Sequence, residues 1–215
     1  MIGAGGHGRE VCAYLRESGC IEHCPELVGV VDDGKPRGSW NGTSVLGTVA
    51  DLERLADGDE GRWFYLTAIG DNRARADCVV RIGTANPSMS PWTLRHPRAV
   101  ISAGARVGHG TCVAPGAVIT SNALIGRHCI VNVNASVSHD SVVEDFANIN
   151  PGAVIAGNVS VGRGAYVGAH ATVINGVRVG EWAIIGAGAV VIDDIPAGVT
   201  AVGVPARIVK RAAIA

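Results

Sequence analysis

Three clusters in this chain carry residue types that could do chemistry. The first is "NASVSHDSVVED", residues 134–145, where His139 and Asp140 stand together in a run of small and aliphatic residues. A histidine beside a carboxylate suits general-base work, because the carboxylate orients the ring and stabilises its protonated form. The second is "GAGGHG", residues 3–8, in which Gly3, Gly5 and Gly8 satisfy G-x-G-x-x-G. Such a loop, opening a helix, turns backbone N–H groups toward an anion, most often a phosphate. The third is "CIEHC", with Cys20, His23 and Cys24. Zinc sites usually offer four ligands in tighter pairs and no second cluster follows, so no metal is expected. The six cysteines show no pairing pattern and read as reduced thiols of a cytoplasmic protein.

The chain of 215 residues is long enough for one large domain or two small ones. It holds 30 glycines and is 47% hydrophobic but only 4% aromatic. A core of Val, Ile and Ala with so little aromatic filling implies a narrow, repetitive interior. A formal net charge of −1, with no basic or acidic block, argues against a nucleic-acid or membrane-surface partner. No apolar run approaches the roughly 20 residues that span a bilayer. The opening "MIGAGGHGRE" lacks a signal peptide's basic start and long apolar segment.

The elements that must position His139 announce themselves by period. From Ile101 to Val191, sixteen successive positions six residues apart are all Ile or Val. Four residues after each of the first fifteen stands Ala, Cys, Ser, Thr or Val, and ten of these are Ala. A period of six fits neither a helix nor an alternating strand; it is the hexapeptide signature of a parallel β-helix. Three hexads close a triangular coil of 18 residues, with Ile/Val inward and a small residue at the crowded inner corner. Coils then stack at about 4.8 Å, the spacing between strands. The period leaves the hand of the coil open. Stacking places His139 between Ser121 and Gly157, and Asp140 between Asn122 and Asn158. His109, His128 and His170 also fall at corners, so position alone favours His139 only through its carboxylate.

Before residue 100 the pattern is mixed α/β. "REVCAYLRESG" has an apolar helical face, "ELVGVVDDG" and "RWFYLTAIGDN" read as strands, and "DLERLAD" as a short helix. "GTANPSMSPW" is rich in turn formers and reads as the linker. The glycine loop with Asp32-Asp33 on its downstream side also fits a dinucleotide oxidoreductase. Against that, only about 95 residues precede the repeat, and the strand before the loop is reduced to "MI". Either that strand is stubby or the natural start lies upstream. A non-catalytic trimeric scaffold is the third reading, since periodicity alone does not exclude it.

The repeat, the "SHD" corner, "PGAVIAGNVSVG" and "GVPARIVKR" resemble the left-handed β-helix acetyltransferases. "GAGGHG", "VVDDGK", "AIGDN" and "RHPRAVIS" narrow this resemblance to one branch. It is the bacterial sugar O-acyltransferase family, with the bacillosamine- and perosamine-pathway N-acetyltransferases and the sialic acid O-acetyltransferases. The likeness spans essentially the whole chain. It implies a left-handed coil, opposite to what the right-handed crossover rule would suggest. It further implies an α/β, Rossmann-like nucleotide-sugar-binding domain over 1–95 and a left-handed β-helix acetyltransferase domain with a C-terminal tail over 96–215.

The resemblance also assigns roles. His139 would be the general base and Asp140 its support; Gly157 N–H would meet the oxyanion, and Asn148 falls where a second acetyl contact can be a histidine. Acetyl-CoA, the expected cosubstrate, would lie along Gly168, Ala169, Gly186 and Ala187, with its adenine near Val204 and Pro205. The nucleotide-linked sugar would meet Gly5, Gly6, His7, Asp32, Asp33, Lys35, Gly70 and Asn72, and Asn132 in the repeat. The expected reaction is N-acetylation of a nucleotide-activated amino sugar, with O-acetylation of a sialic-acid-like sugar as the alternative. Outward aliphatics at Val118, Leu124, Ile130, Val142, Val154, Ile184 and Val190 point to a homotrimer, with acetyl-CoA between neighbouring prisms.

Overall fold

The computed structural model describes residues 1–18, 25–55 and 62–211. The Cys20–His23–Cys24 cluster lies outside the described residues. Backbone contacts divide the chain into two compact units, Met1–Pro97 and Arg98–Ala215.

In the first unit the strand before the glycine loop is a single bridging residue. Ile2 pairs in parallel with Val31 on one side and Thr67 on the other. Val30–Val31 pairs in parallel with Thr43–Gly47, which turns back on Gly38–Trp40 as an antiparallel hairpin. The loop then enters a helix over Gly6–Ser18. Asp71 caps a second long helix, Asn72–Ala85, by accepting from Ala74 N–H at 2.8 Å. Ile2, Val31, Val49, Leu52, Tyr65, Cys78 and Ile82 form a core between sheet and helices. The segment "GTANPSMSPW" is not a linker. Its first residues finish that helix, and Ser90–Pro91 adds a parallel strand to Phe64–Tyr65. Turn formers there cap and bend the chain while its backbone still completes a pair of strands.

The second unit is a parallel β-helix. Among the described residues, sixteen two-residue strands run from Val100–Ile101 to Val190–Val191. Each pairs with the strand 18 residues away, as Val118-Ile119 does with Ser136-Val137 and with Val100-Ile101. One face of the prism is built on strands at 100, 118, 136, 154, 172 and 190. A second is built on 106, 124, 142, 160 and 178, and a third includes 112, 130, 148, 166 and 184. The inward residues Ile119, Val137, Ile155, Val173 and Val191 are fully buried. Burying each such side chain contributes about 1.5–3 kcal/mol, so the stack is held by many equal increments. From Val107 to Ile185 the corners bend through left-handed residues three past each inward position, among them Asn122, Asp140 and Asn158. Of the outward aliphatics, Leu124, Val142, Val154 and Ile184 are exposed. Ile130 is not: with Cys112 and Asn148 it forms a buried strip on the third face. The chain closes with Val199–Val202 pairing to Ile184–Ile185, and Arg207–Arg211 antiparallel to it. Among the described residues no helix is long and apolar enough to cross a membrane.

Candidate active site

His139 and Asp140 occupy the corner between Ser136–Val137 and Val142–Val143. Asp140 has φ 59°, a region open to Asp and Asn because their short polar side chains bond locally. Its Oδ2 lies 2.9 Å from His139 Nδ1, and its Oδ1 accepts from Asn122 Nδ2 at 3.0 Å. The bond from Asn122, then that from His139, hold the Asp140 carboxyl below the usual carboxylate range. A carboxylate at Nδ1 favours the tautomer protonated there and leaves the Nε2 lone pair free as a proton acceptor. The two side chains are 54% and 46% exposed, so the pair is open to an incoming substrate.

Gly157 lies one coil further on, against the ring. A Cβ on it would stand 2.5 Å from both Cε1 and Nε2 of His139, so the ring occupies the space a side chain would need. Among the described residues Gly157 N–H has no hydrogen-bond acceptor. Backbone bonds lock this edge in register: Asp140 N–H to Ser121 O and Asn158 N–H to His139 O, both 3.0 Å. An imidazole, a carboxylate bonded to it and an uncommitted N–H donor are therefore gathered on one edge. That set can deprotonate a nucleophile and stabilise an oxyanion. The other corner histidines differ. His109 and His170 are exposed and have no carboxylate partner among the described residues. His128 is buried and stacked on Phe146, with ring centroids 5.3 Å apart.

The glycine loop has its own fit. Gly3 takes φ 109°, and a Cβ on Gly8 would meet the Gly3 carbonyl at 2.4 Å, so helix and loop touch backbone to backbone. Around Gly5 and Gly6 a Cβ would meet nothing within 4 Å, which leaves the helix entrance open. His7 bonds Glu10 through Nδ1 at 3.0 Å. Asp32 braces the loop itself, accepting from Ala4 N–H at 2.6 Å and Gly34 N–H at 2.8 Å. Asp33 is engaged by Arg81 at 2.7 Å and by Val49 N–H at 2.9 Å. The Arg81 hydrogen bond is the main reason its carboxyl sits below the ordinary range. Both aspartates thus have structural partners already. Lys35 and Gly70 are exposed, and Asn72 is buried at the start of its helix. Among the described residues no group of His, Cys, Asp and Glu could hold a metal ion.

Comparison with known proteins settles the family. Residues 1–82 match the PglD N-terminal domain, and residues 140–175 match the bacterial transferase hexapeptide of six repeats. A histidine-to-asparagine variant of perosamine N-acetyltransferase from Caulobacter crescentus, with CoA and GDP-perosamine, is 36% identical with TM-score 0.88. The match covers 96% of this chain and 94% of that one. The acetyltransferase domain of PglB from Neisseria gonorrhoeae, in complex with acetyl coenzyme A, is 32% identical over 97% of both chains, TM-score 0.84. WeeI from Acinetobacter baumannii is 30% identical over 97% of both, TM-score 0.85. The chain belongs to the left-handed β-helix sugar N-acetyltransferases.

One curated relative, the uncharacterised protein L142 of Acanthamoeba polyphaga mimivirus, is 27% identical over 110 residues. The match spans half of this acetyltransferase and only 20% of that longer protein.

Within one chain the residues that the resemblance assigns to this acetyltransferase's site fall into two groups. His139, Asp140 and Gly157 share one edge of the first face. Gly168 and Gly186, with Ala169 and Ala187 next to them, stack 18 residues apart at the other edge of that face, and Asn132 lies on the same edge two coils before Gly168. Asn148 is nine residues from His139, half a coil away, and is buried on the third face. Gly168 also has a packing reason: its Cβ would strike backbone of residues 185–187 at 2.6–2.7 Å. Val204 and Pro205 are exposed beyond the last coil. Asn122 is the site residue to which sequence reasoning gave no role. The 18-residue stack puts it beside Asp140, and its bond to the carboxylate becomes visible only with side chains in place.

Proposed function

We propose that this protein transfers the acetyl group of acetyl-CoA to the amine of a nucleotide-linked amino sugar. The observation that carries the proposal is the His139–Asp140 pair beside the uncommitted N–H of Gly157. The amine attacks the thioester carbonyl while His139 Nε2 takes its proton, a step typically worth 10²–10⁴-fold. The carbonyl oxygen becomes an oxyanion, and Gly157 N–H donates to it. The tetrahedral intermediate collapses with cleavage of the C–S bond, and the imidazolium returns the proton to the departing coenzyme A sulfur. Products are the acetamido sugar and free coenzyme A. Relatives crystallised with CoA and GDP-perosamine, or with acetyl coenzyme A, support both substrate classes.

The open loop at Gly5 and Gly6 would take the nucleotide phosphates. The base edge and the glycine edge lie on opposite sides of one face, so a single prism does not bring them together. A three-fold assembly that sets the glycine edge of one copy beside the His139 edge of the next would complete the site. Exposed Leu124, Val142, Val154 and Ile184 supply apolar contact for it. The buried free thiols of Cys12, Cys78, Cys112 and Cys129 fit a cytoplasmic enzyme.

The test is thiol release from acetyl-CoA across a panel of nucleotide-linked amino and hydroxyl sugars, with light scattering on the same sample. Release with an amino sugar and a trimer mass are expected. Binding of NAD or NADP with no response to coenzyme A would replace this reading with the oxidoreductase, and a stable monomer at micromolar concentration would overturn the shared site.

A further inference from the structure

A corner of this β-helix normally closes on itself. Among the described residues, ten corners carry alanine four past the inward Ile or Val. In each, the alanine N–H donates to the carbonyl three residues before it. Ala153 does so to Asn150 O at 3.0 Å, and Ala135 to Asn132 O at 3.1 Å. The corner that carries Gly157, residues 156–159, does not close, and among the described residues neither do 138–141 and 174–177 on the same edge. At 156–159, Val159 N–H donates instead to Ser141 Oγ at 3.1 Å. The same hydroxyl donates to the Ala156 carbonyl at 2.8 Å. One hydroxyl from the neighbouring coil is inserted where the turn hydrogen bond would be, and two bonds replace one.

Ser141 is fully buried, so the inserted hydroxyl has no water to exchange with, and both bonds must be kept. It stands two residues after His139, and the turn it bridges presents Gly157 to the ring. The same device recurs at residues 126–129, where Thr111 Oγ1 donates to Gly126 O at 2.8 Å and accepts from Cys129 N–H at 3.0 Å. Threonine is therefore sterically able to make this insertion.

We propose that Ser141 is a positioning residue for acetyl transfer: by bridging the two ends of the 156–159 turn, it sets the peptide carrying Gly157 N–H beside the His139 ring. The proposal rests on the acetyl-transfer reading above. Without the hydroxyl, Val159 N–H and the Ala156 carbonyl lose the partner that ties them together, and the peptides between them are free to turn. An oxyanion donor displaced by a fraction of an ångström loses much of its effect at the transition state. Substrate contacts made elsewhere are untouched.

The experiment combines crystal structures of the parent and Ser141→Ala with steady-state kinetics of Ser141→Ala, Ser141→Thr and Ser141→Cys. In the alanine variant the peptides of the turn should shift away from the ring, and kcat should fall about 10- to 100-fold. KM for acetyl-CoA should stay within about twofold and the pH–rate profile should keep its shape, because the base is intact. Threonine should restore kcat to within about threefold of the parent, since its hydroxyl can make the same two bonds. Should the alanine variant fail to fold, cysteine, a weak hydrogen-bonding near-isostere, must still lower kcat. Parental kcat in the alanine or cysteine variant, or a turn that keeps its position without the hydroxyl, would overturn the proposal. So would a threonine variant that folds and falls as far as alanine. A parent protein that releases no thiol with any sugar fails the acetyl-transfer reading itself, and that is seen before any variant is compared.

Discussion

Asn122 donates its side-chain amide to Asp140, one coil away, at 3.0 Å, and Asp140 pairs with His139 at 2.9 Å. The carboxylate paired with His139 is thus held from a second rung of the stack. Asn122→Ala should lower kcat by about two- to tenfold, the worth of one hydrogen bond to a charged group in partial contact with water. Asp140→Asn should cost more, since it removes the ion that stabilises the imidazolium. An Asn122→Ala enzyme slower than Asp140→Asn would show that Asn122 acts on something other than the carboxylate. Paired kinetics on the two variants decide it.

His139→Asn keeps a polar corner of similar reach and removes the proton acceptor. Turnover should fall by about 10²–10⁴-fold with KM for acetyl-CoA little changed. The exposed His109 and His170 are the proper controls and should leave the rate near the parent's. His128 is not a control, because its ring is buried against Phe146 and its loss costs packing. Normal turnover by His139→Asn would move the base elsewhere.

What the sequence reveals and hides follows from how each element hides or shows its core. Every coil repeats one inward residue at one interval, so sixteen Ile/Val positions mark the β-helix without ambiguity. The register follows at once, and with it the meeting of His139 and Gly157. The helix Asn72–Ala85 is harder to read because Arg75, a charged residue, points into its core. Its guanidinium donates to Ile69 O at 2.7 Å, a partner no periodicity reports. The hairpin at "WNGT" does carry a signal, since Asn41 and Gly42 both take positive φ as an Asn-Gly turn requires. The segment "GTANPSMSPW" misleads because strand pairing uses backbone, which Pro and Ser do not forbid at an edge. Asn148 and Asn132 stay apart from His139 in one chain because the triangle puts one on another face and the other at another edge, a fact that the 18-residue period itself dictates.

Gly157→Ala tests the contact between ring and glycine directly. The new methyl would stand 2.5 Å from the far end of the His139 side chain, which can swing away. Gly157 is not in the left-handed region, so the backbone accepts alanine. The melting temperature should change little, while kcat falls by about tenfold or more as the base is displaced. A parental kcat in a well-folded variant would mean that the ring does not work from the position beside Gly157.

Acid sensitivity in the N-terminal unit should trace to Asp51. Its carboxylate accepts from Thr48 N–H at 2.9 Å and Oγ1 at 3.0 Å, and pairs with Arg54 and Arg37 at 3.1 Å. The Thr48 backbone bond, then Arg54, hold it far below the ordinary carboxylate range. A carboxyl lowered in the folded state contributes stability that is complete above its unfolded value, about 3.9, and is lost as pH falls through the folded value. Asp51→Asn should therefore melt below the parent at pH 7, and the gap should narrow as pH drops below about 4. Melting curves of both proteins from pH 7 to 2 check this; a gap that is constant across the range would remove the charge from the explanation.

The glycine loop offers a comparison of two neighbouring glycines with opposite constraints. Gly8→Ala drives a methyl to 2.4 Å from the Gly3 carbonyl, backbone against backbone, so helix and loop must part. That variant should melt earlier and bind nucleotide-linked sugar poorly, both for the same structural reason. Gly5→Ala meets nothing within 4 Å and needs no unusual backbone angle, so the fold should be unaffected. If the loop receives a phosphate, however, that methyl projects from the loop at the helix entrance, where backbone N–H groups must be approached closely. Calorimetry should then show affinity for the nucleotide-linked sugar reduced by about tenfold, or about 1.4 kcal/mol. Acetyl-CoA affinity and melting temperature should match the parent's, because neither depends on this loop. Unchanged sugar-nucleotide affinity in Gly5→Ala would place the phosphates away from the helix entrance and leave the glycines of this loop with a packing role alone.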